Sequence, residues 1–149
     1  MRRSRLLVSV VAVGFFLSMG VACSKKGPSS SVDTETNSAL KRIHFDFDKY
    51  NIRGDAVSIL KQNASWMKDH PKKNIIVEGH CDERGTSAYN LVLGEKRAKA
   101  ARNYLVELGV SANRLGVVSY GKERPFCKDH SEACYAQNRR GHVVVKSGK

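Results

Sequence analysis

The chain has 149 residues, 41% hydrophobic and 27% charged, and its 26 Lys and Arg outweigh 14 Asp and Glu for a formal charge of +12. That length holds one core domain, and no internal repeat is visible, which excludes a repeat array. The surplus of positive charge points to anionic partners.

Residues 1–5 form a basic n-region, and residues 6–19 an apolar run too short and too close to the start for a comfortable membrane span. Gly20, Val21 and Ala22 supply the small residues of a signal-peptidase site, and Cys23 follows at once. The arrangement resembles the lipobox of bacterial lipoproteins, where the Cys becomes the acylated first residue. Here Gly20 stands where Leu is usual. An ordinary secretory signal with an incidental Cys is the alternative. Ser24 in the second mature position resembles lipoproteins sent to the outer membrane. Cleavage would remove Arg2, Arg3 and Arg5 and lower the formal charge from +12 to +9. In an exported protein the anionic partners are cell-wall carboxylates and lipid headgroups, not nucleic acid. Solubility accounts for most individual lysines. Residues 27–39 are rich in Ser and Thr with almost no large apolar side chain, the composition of a flexible linker. The expected division is a signal peptide at 1–22, a lipidated Cys and linker at 23–39, and one domain at 40–149.

The domain opens on residues 42–48, where Ile43, Phe45 and Phe47 alternate with His44, Asp46 and Asp48 as in a strand with one wet face. Phe45 and Phe47 read as core. Asp46 and Asp48 either cap the strand end or line a cleft with Asp82. Residues 54–70 read as a helix through Val57, Leu60, Ala64 and Met67, stopped by Pro71, with Trp66 as packing. The β-branched run at Ile75, Ile76 and Val77 marks a strand over 74–80. A charged turn follows at 81–86, then a helix from Ser87 whose apolar positions are Leu91, Ala98, Ala101, Leu105 and Leu108, with Gly109 as its C-cap. Residues 111–115 look like a short capped turn and 116–120 a third strand closed by Gly121. Residues 125–138 form a long connection carrying Cys127 and Cys134, and 142–146 the last strand. The order predicts an α/β fold, a two-layer sandwich with a mixed sheet whose strand order stays open.

The strand, charged turn and helix N-terminus around residues 78–101 make a place for an ionic ligand. Asp82 just ahead of the helix and Arg97 on its third turn form a pair able to grip a zwitterion, the acid holding an ammonium and the guanidinium a carboxylate. Cys127 and Cys134, seven apart in an oxidising compartment, are expected to form a disulfide. Cys81 reads as a half-buried structural thiol. A catalytic role lacks a base, because His80 is adjacent in sequence and points to the opposite face of a strand. His80, Cys81, Asp82 and Glu83 lack metal-ligand spacing, so neither a metal nor a cofactor is expected.

Five motifs carry a family resemblance: F-D-F-D-K-Y at 45–50, G-H-C-D-E-R-G-T at 79–86, Y-N-x-x-L-G-E-x-R-A at 89–98, S-Y-G-K-E-x-P at 119–125 and N-R-R at 138–140. Over residues 42–146 the chain resembles the peptidoglycan-associated lipoproteins of the OmpA C-terminal-like superfamily. The resemblance implies an outer-membrane lipoprotein whose domain faces the periplasm and binds the diaminopimelate of the peptidoglycan stem peptide without covalent chemistry. It also implies membership of the Tol–Pal system, with a Tol protein such as TolB as partner and roles in envelope integrity and cell division. By position in the motifs, the ligand-binding aspartate and arginine fall on Asp82 and Arg97. Backbone groups at Gly85 and Thr86, the strand end at Phe47 and Asp48, and Arg139 are implied neighbours of the groove. Loss of Asp82 or Arg97 is then expected to abolish wall binding without unfolding the domain.

Three positions depart from the family: Cys81 where Thr is common, the extra Cys127/Cys134 pair, and Gly141, which predicts a looser start to the last strand. Two other functions stand beside this one, a wall-modifying enzyme using Cys81 and an interaction hub in which docking to Tol proteins dominates. A stator or outer-membrane barrel is disfavoured by the lack of membrane segments before the domain.

Overall fold

A computed structural model of the chain describes residues 39–146. The expected signal peptide, Cys23 and nearly all of the linker lie outside the described residues. Within them the order is β1 (Ile43–His44), α1 (Gly54–Asp69), β2 (Ile75–His80), α2 (Ser87–Glu107), a single 3-10 turn (Ala112–Arg114), β3 (Leu115–Gly121), α3 (Glu132–Asn138) and β4 (Arg140–Val145). This is the expected mixed α/β sandwich. The sheet order is β1-β4-β2-β3, with β2 parallel to β3 and antiparallel to β4, and β4 antiparallel to β1.

The apolar residues named by periodicity largely make the core. Ile75, Val77 and Val143 from the sheet meet Leu60, Ala64 and Met67 of α1 and Ala98, Ala101 and Leu105 of α2, all at most 2% exposed. Trp66 packs at the edge of this core and stacks on His70, ring centroids 4.0 Å apart. Where α2 crosses β2, Gly79 lies against Gly94 so closely that a Cβ on Gly79 would overlap the Gly94 carbonyl. That contact presses the first half of α2 onto the sheet. Ser119 Oγ adds to it by donating to Leu91 O at 2.6 Å.

Four expectations need correction. The first strand is only two residues long, because the backbone turns at Asp46–Asp48 and Asp48 takes φ +54°. Phe45 stays in the core at 1% exposure, but Phe47 is carried outward to 56%. Leu91 is likewise outside the core, at 52% exposure. The buried stripe of α2 runs instead through Asn90, Leu93, Gly94, Arg97, Ala98, Ala101 and Leu105, and its first half is polar because it faces a cavity. The last strand is not loose at Gly141. It begins earlier, at Arg140, and Gly141 is paired with Ile43 on one side and Gly79 on the other.

The second face of the sheet carries Glu78 in register with His142, and buried His80 beside them. Glu78 Oε2 lies 3.3 Å from His142 Nδ1 and 3.5 Å from His80 Nε2.

Candidate functional site

The site begins where β2 leaves the sheet. The β2–β3 register slips between Gly79 and His80, and Cys81 N donates to Gly121 O at 2.8 Å. The chain then folds back onto the start of α2. Gly85 takes φ +91°, a left-handed conformation that a side chain would disfavour. Thr86 caps the helix by accepting from Tyr89 N at 3.2 Å. Asn90, 2% exposed, braces the turn from inside by donating to Arg84 O (2.8 Å) and Thr86 O (3.1 Å).

Against this turn lies a cavity of about 230 Å³. Of the residues singled out in the sequence, Phe47, Asp48, Cys81, Asp82, Gly85 and Arg97 line it. Thr86 serves as the helix cap beside it. Arg139, 6% exposed, stands behind Asp82 and holds it by Nη1 to Oδ2 at 3.2 Å. Asp46 turns away to pair with Arg53 at 2.9 Å. The sequence reasoning passed over Arg84, Tyr89, Asn90 and Leu93, which also line the cavity. The signal was present, since Arg84 sits in the charged turn and Tyr89 opens the Y-N-x-x-L-G-E-x-R-A run. Tyr89 donates its hydroxyl to Asp48 Oδ1 and so links the 47–48 turn to α2 across the cavity mouth.

Arg97 is 1% exposed. It donates from Nε to Lys49 O (2.8 Å), from Nη1 to His80 O (2.9 Å) and from Nη2 to Asp46 O (3.0 Å). The guanidinium therefore ties the 46–49 segment to the end of β2, and two of its N–H groups remain for other acceptors. Burial pulls its pKa down from the ordinary value. Burial acts on Asp82 in the opposite sense, but hydrogen bonds from Arg84 and Arg139 outweigh it and hold the carboxyl below its usual range. Asp82 is thus an anion, 4% exposed, gripped by two guanidinium groups.

Cys81 is buried further than expected, at 3% exposure, with Sγ 3.3 Å from Asn90 O, and burial pushes its thiol up to about 11. That is the setting of a structural thiol. The Cys127–Cys134 disulfide is formed, with Cα atoms 5.3 Å apart. The loop it closes and the residue that follows dock on the turn through Glu83, which pairs with His130 at 2.6 Å and accepts from Tyr135 Oη at 2.7 Å. Among the described residues no cluster of His, Cys, Asp or Glu is arranged to hold a metal, and no helix is long and apolar enough to cross a membrane.

Fold and cavity together define a small α/β sandwich that sets two buried ionic side chains, Asp82 and Arg97, beside the more exposed Asp48 and Arg84 in a pocket between a strand end and a helix N-terminus. Residues 44–139 match the model of the OmpA family. The chain is 40% identical to the peptidoglycan-associated lipoprotein of Brucella melitensis over an alignment of 164 residues, which spans 97% of each chain. It is 48% identical to that of Haemophilus influenzae over 98 residues, 66% of this chain and 64% of the relative. Among solved structures, the peptidoglycan-associated lipoprotein from Burkholderia pseudomallei aligns with a TM-score of 0.70 and 44% identity, over 76% of this chain and 97% of that one. The C-terminal domain of Helicobacter pylori MotB shares the fold, with a TM-score of 0.67 at 23% identity over 74% of this chain and 88% of that one. The chain belongs to the OmpA family and, within it, to the peptidoglycan-associated lipoproteins.

Proposed function

We propose that this protein is an outer-membrane lipoprotein, anchored through Cys23, that binds peptidoglycan non-covalently and so tethers the outer membrane to the cell wall. The observation that carries the reading is the meeting of Asp82 and Arg97, both nearly inaccessible, in one cavity of about 230 Å³. The ligand is the diaminopimelate of the stem peptide. Its free end bears an ammonium and a carboxylate on one carbon, and two opposed charges held a fixed distance apart recognise that pair together. The mechanism is binding without turnover. Phe47, Asp48 and Gly85 shape the cavity, Thr86 fixes the helix start, and Arg139 orients Asp82. Each contact is modest alone, but many tethered copies facing one wall act through effective concentration. As part of the Tol–Pal system the domain would also meet a Tol protein such as TolB. Phe47 and Tyr89, 56% and 53% exposed at the cavity, favour a docking surface that overlaps the wall site.

Calorimetric titration of the domain from Leu40 onward with a diaminopimelate muropeptide tests this, with the lysine-containing analogue as control. Binding the first and not the second is expected, and binding of neither would refute the wall-anchor reading. Competition between TolB and the muropeptide tests the overlap.

A further inference from the structure

Asp82 is not vacant. Arg84 donates to Oδ1 from its backbone N (3.1 Å) and Nε (3.2 Å) and to Oδ2 from Nη2 (2.7 Å), while Arg139 Nη1 reaches Oδ2 at 3.2 Å. An ammonium entering the cavity finds its carboxylate already covered by a bidentate guanidinium. The same guanidinium also faces a second acid. Arg84 Nη1 lies 3.5 Å from Glu132 Oε2, and Glu132 Oε1 receives Arg139 Nη2 at 2.7 Å. Asp82, Arg84, Glu132 and Arg139 close a ring in which the charge alternates. The Arg84 guanidinium sits 4.0 Å from the Phe47 ring centroid and 4.6 Å from that of Tyr135, so aromatic faces flank it.

We propose that Arg84 is an exchangeable counter-ion: it neutralises Asp82 until a ligand ammonium takes its place, and then passes to Glu132. The inference rests on the zwitterion reading of the cavity and deepens it. Uncovering a buried carboxylate with no replacement is costly, whereas trading one cation for another leaves every charge paired. Glu132 makes the trade possible. Its side chain is 65% exposed, so it can take the whole of Arg84 in a wet setting while still holding Arg139. Glu132 is therefore a positioning residue, and the exchange sets specificity. A ligand lacking the ammonium, such as one acetylated on that nitrogen, leaves Arg84 in place and finds the site shut.

The test is calorimetry of the full-length chain in detergent with the diaminopimelate muropeptide, on wild type, E132Q, R84A and the double variant. E132Q should bind about threefold to fivefold more weakly, the scale of an exposed ion pair. In the R84A background E132Q should change nothing further, because no guanidinium is left to move. Nitrogen-15 spectra should show the Arg84 Nε–H resonance shifting on ligand addition. An E132Q loss that persists undiminished in R84A would mean that Glu132 acts only through Arg139, and would overturn the exchange. So would wild-type affinity in E132Q. A wild-type chain that binds no muropeptide would sink the wall reading and the exchange with it, whereas a binding wild type with an unaffected E132Q sinks the exchange alone. Thermal unfolding of E132Q, a change at an exposed position, checks that the fold is intact.

Discussion

Replacing Arg97 with Ala should damage the fold as well as the site, contrary to the expectation from sequence. The side chain is 1% exposed and satisfies three backbone carbonyls, those of Asp46, Lys49 and His80. Hydrogen bonds from a charged donor contribute about 1.5–3 kcal/mol each, and the acceptors they leave behind are unpaired. The three are not independent, since all fail together and the 46–49 segment can relax toward water. A loss of about 3–5 kcal/mol is therefore expected, a large part of the roughly 5–15 kcal/mol available to a domain. Urea unfolding followed by far-ultraviolet circular dichroism measures it as a fall in midpoint at unchanged slope. Arg97→Lys should recover only part of the loss, because an ammonium cannot span three acceptors set around a planar fork. A destabilisation below about 1 kcal/mol in Arg97→Ala would refute the reasoning, since the carbonyls would then have found other partners at little cost. Asp82→Asn is the cleaner probe of ligand binding, because it keeps the shape of the side chain and removes its charge.

Cys81, its thiol pushed up to about 11 and buried, should resist Ellman's reagent at pH 8 in the native domain and react at once in denaturant. Rapid native labelling would contradict the burial. Gly79→Ala should destabilise by at least about 2–3 kcal/mol, because the added methyl must push α2 off the sheet at the Gly94 carbonyl. A urea midpoint like that of wild type would show that the helix yields freely. Acid should weaken the fold in two stages. Burial holds His80 below the usual imidazole range, so the unfolded chain takes its proton first and stability falls as pH drops below about 6.5. At Glu78 burial acts upward, but the hydrogen bond with His142 and the nearby His80 ring outweigh it and bring the carboxyl to about 2, so its contribution, complete above about 4.5, is lost toward pH 2. Urea midpoints from pH 7.5 to 3 should follow this course, and His80→Phe should reduce the upper stage, leaving the share of His44, which burial also holds low. A profile flat from pH 7 to 4 would refute it.

Local patterns carried the fold a long way. β2 and α1 follow from β-branched runs and from apolar spacing ended by Pro71, because those signals come from neighbours in sequence. The same counting failed at Phe47 and Leu91. Alternation cannot see that Asp48 adopts φ +54° and ends the strand, and a stripe that includes Asn90, Gly94 and Arg97 does not look apolar. The site was legible in part. A charged turn ahead of a helix nominated Asp82 and Arg97, yet nothing nearby in sequence says that Arg97 would donate to the carbonyls of Asp46 and Lys49, about fifty residues away, as well as to that of His80. The contacts of Asp82 with Arg139 and of Glu83 with Tyr135 likewise join segments brought together only by the order β1-β4-β2-β3. Tertiary pairing decided them. The disulfide was legible for a different reason, the chemistry of the compartment implied by residues 1–22.

The shortness of β1 has a mechanical consequence. Under the proposed tether, tension enters the domain at Leu40 and leaves through whatever fills the cavity. A ladder of two residue pairs would peel readily by itself. Asn63 Oδ1 receives Lys41 N at 2.9 Å and Asn63 Nδ2 donates to Lys41 O at 2.8 Å, so the chain is clipped to α1 before the strand begins. Beyond the strand, Arg139 holds Phe45 O, and Arg97 holds Asp46 O and Lys49 O. Those two guanidinium groups lie in and behind the cavity wall. Pull is handed from the point of entry to the site within residues 40–49, with little of the sheet in the load path. Under that tether the link from entry to site is short, and Asn63 and two buried arginines hold it.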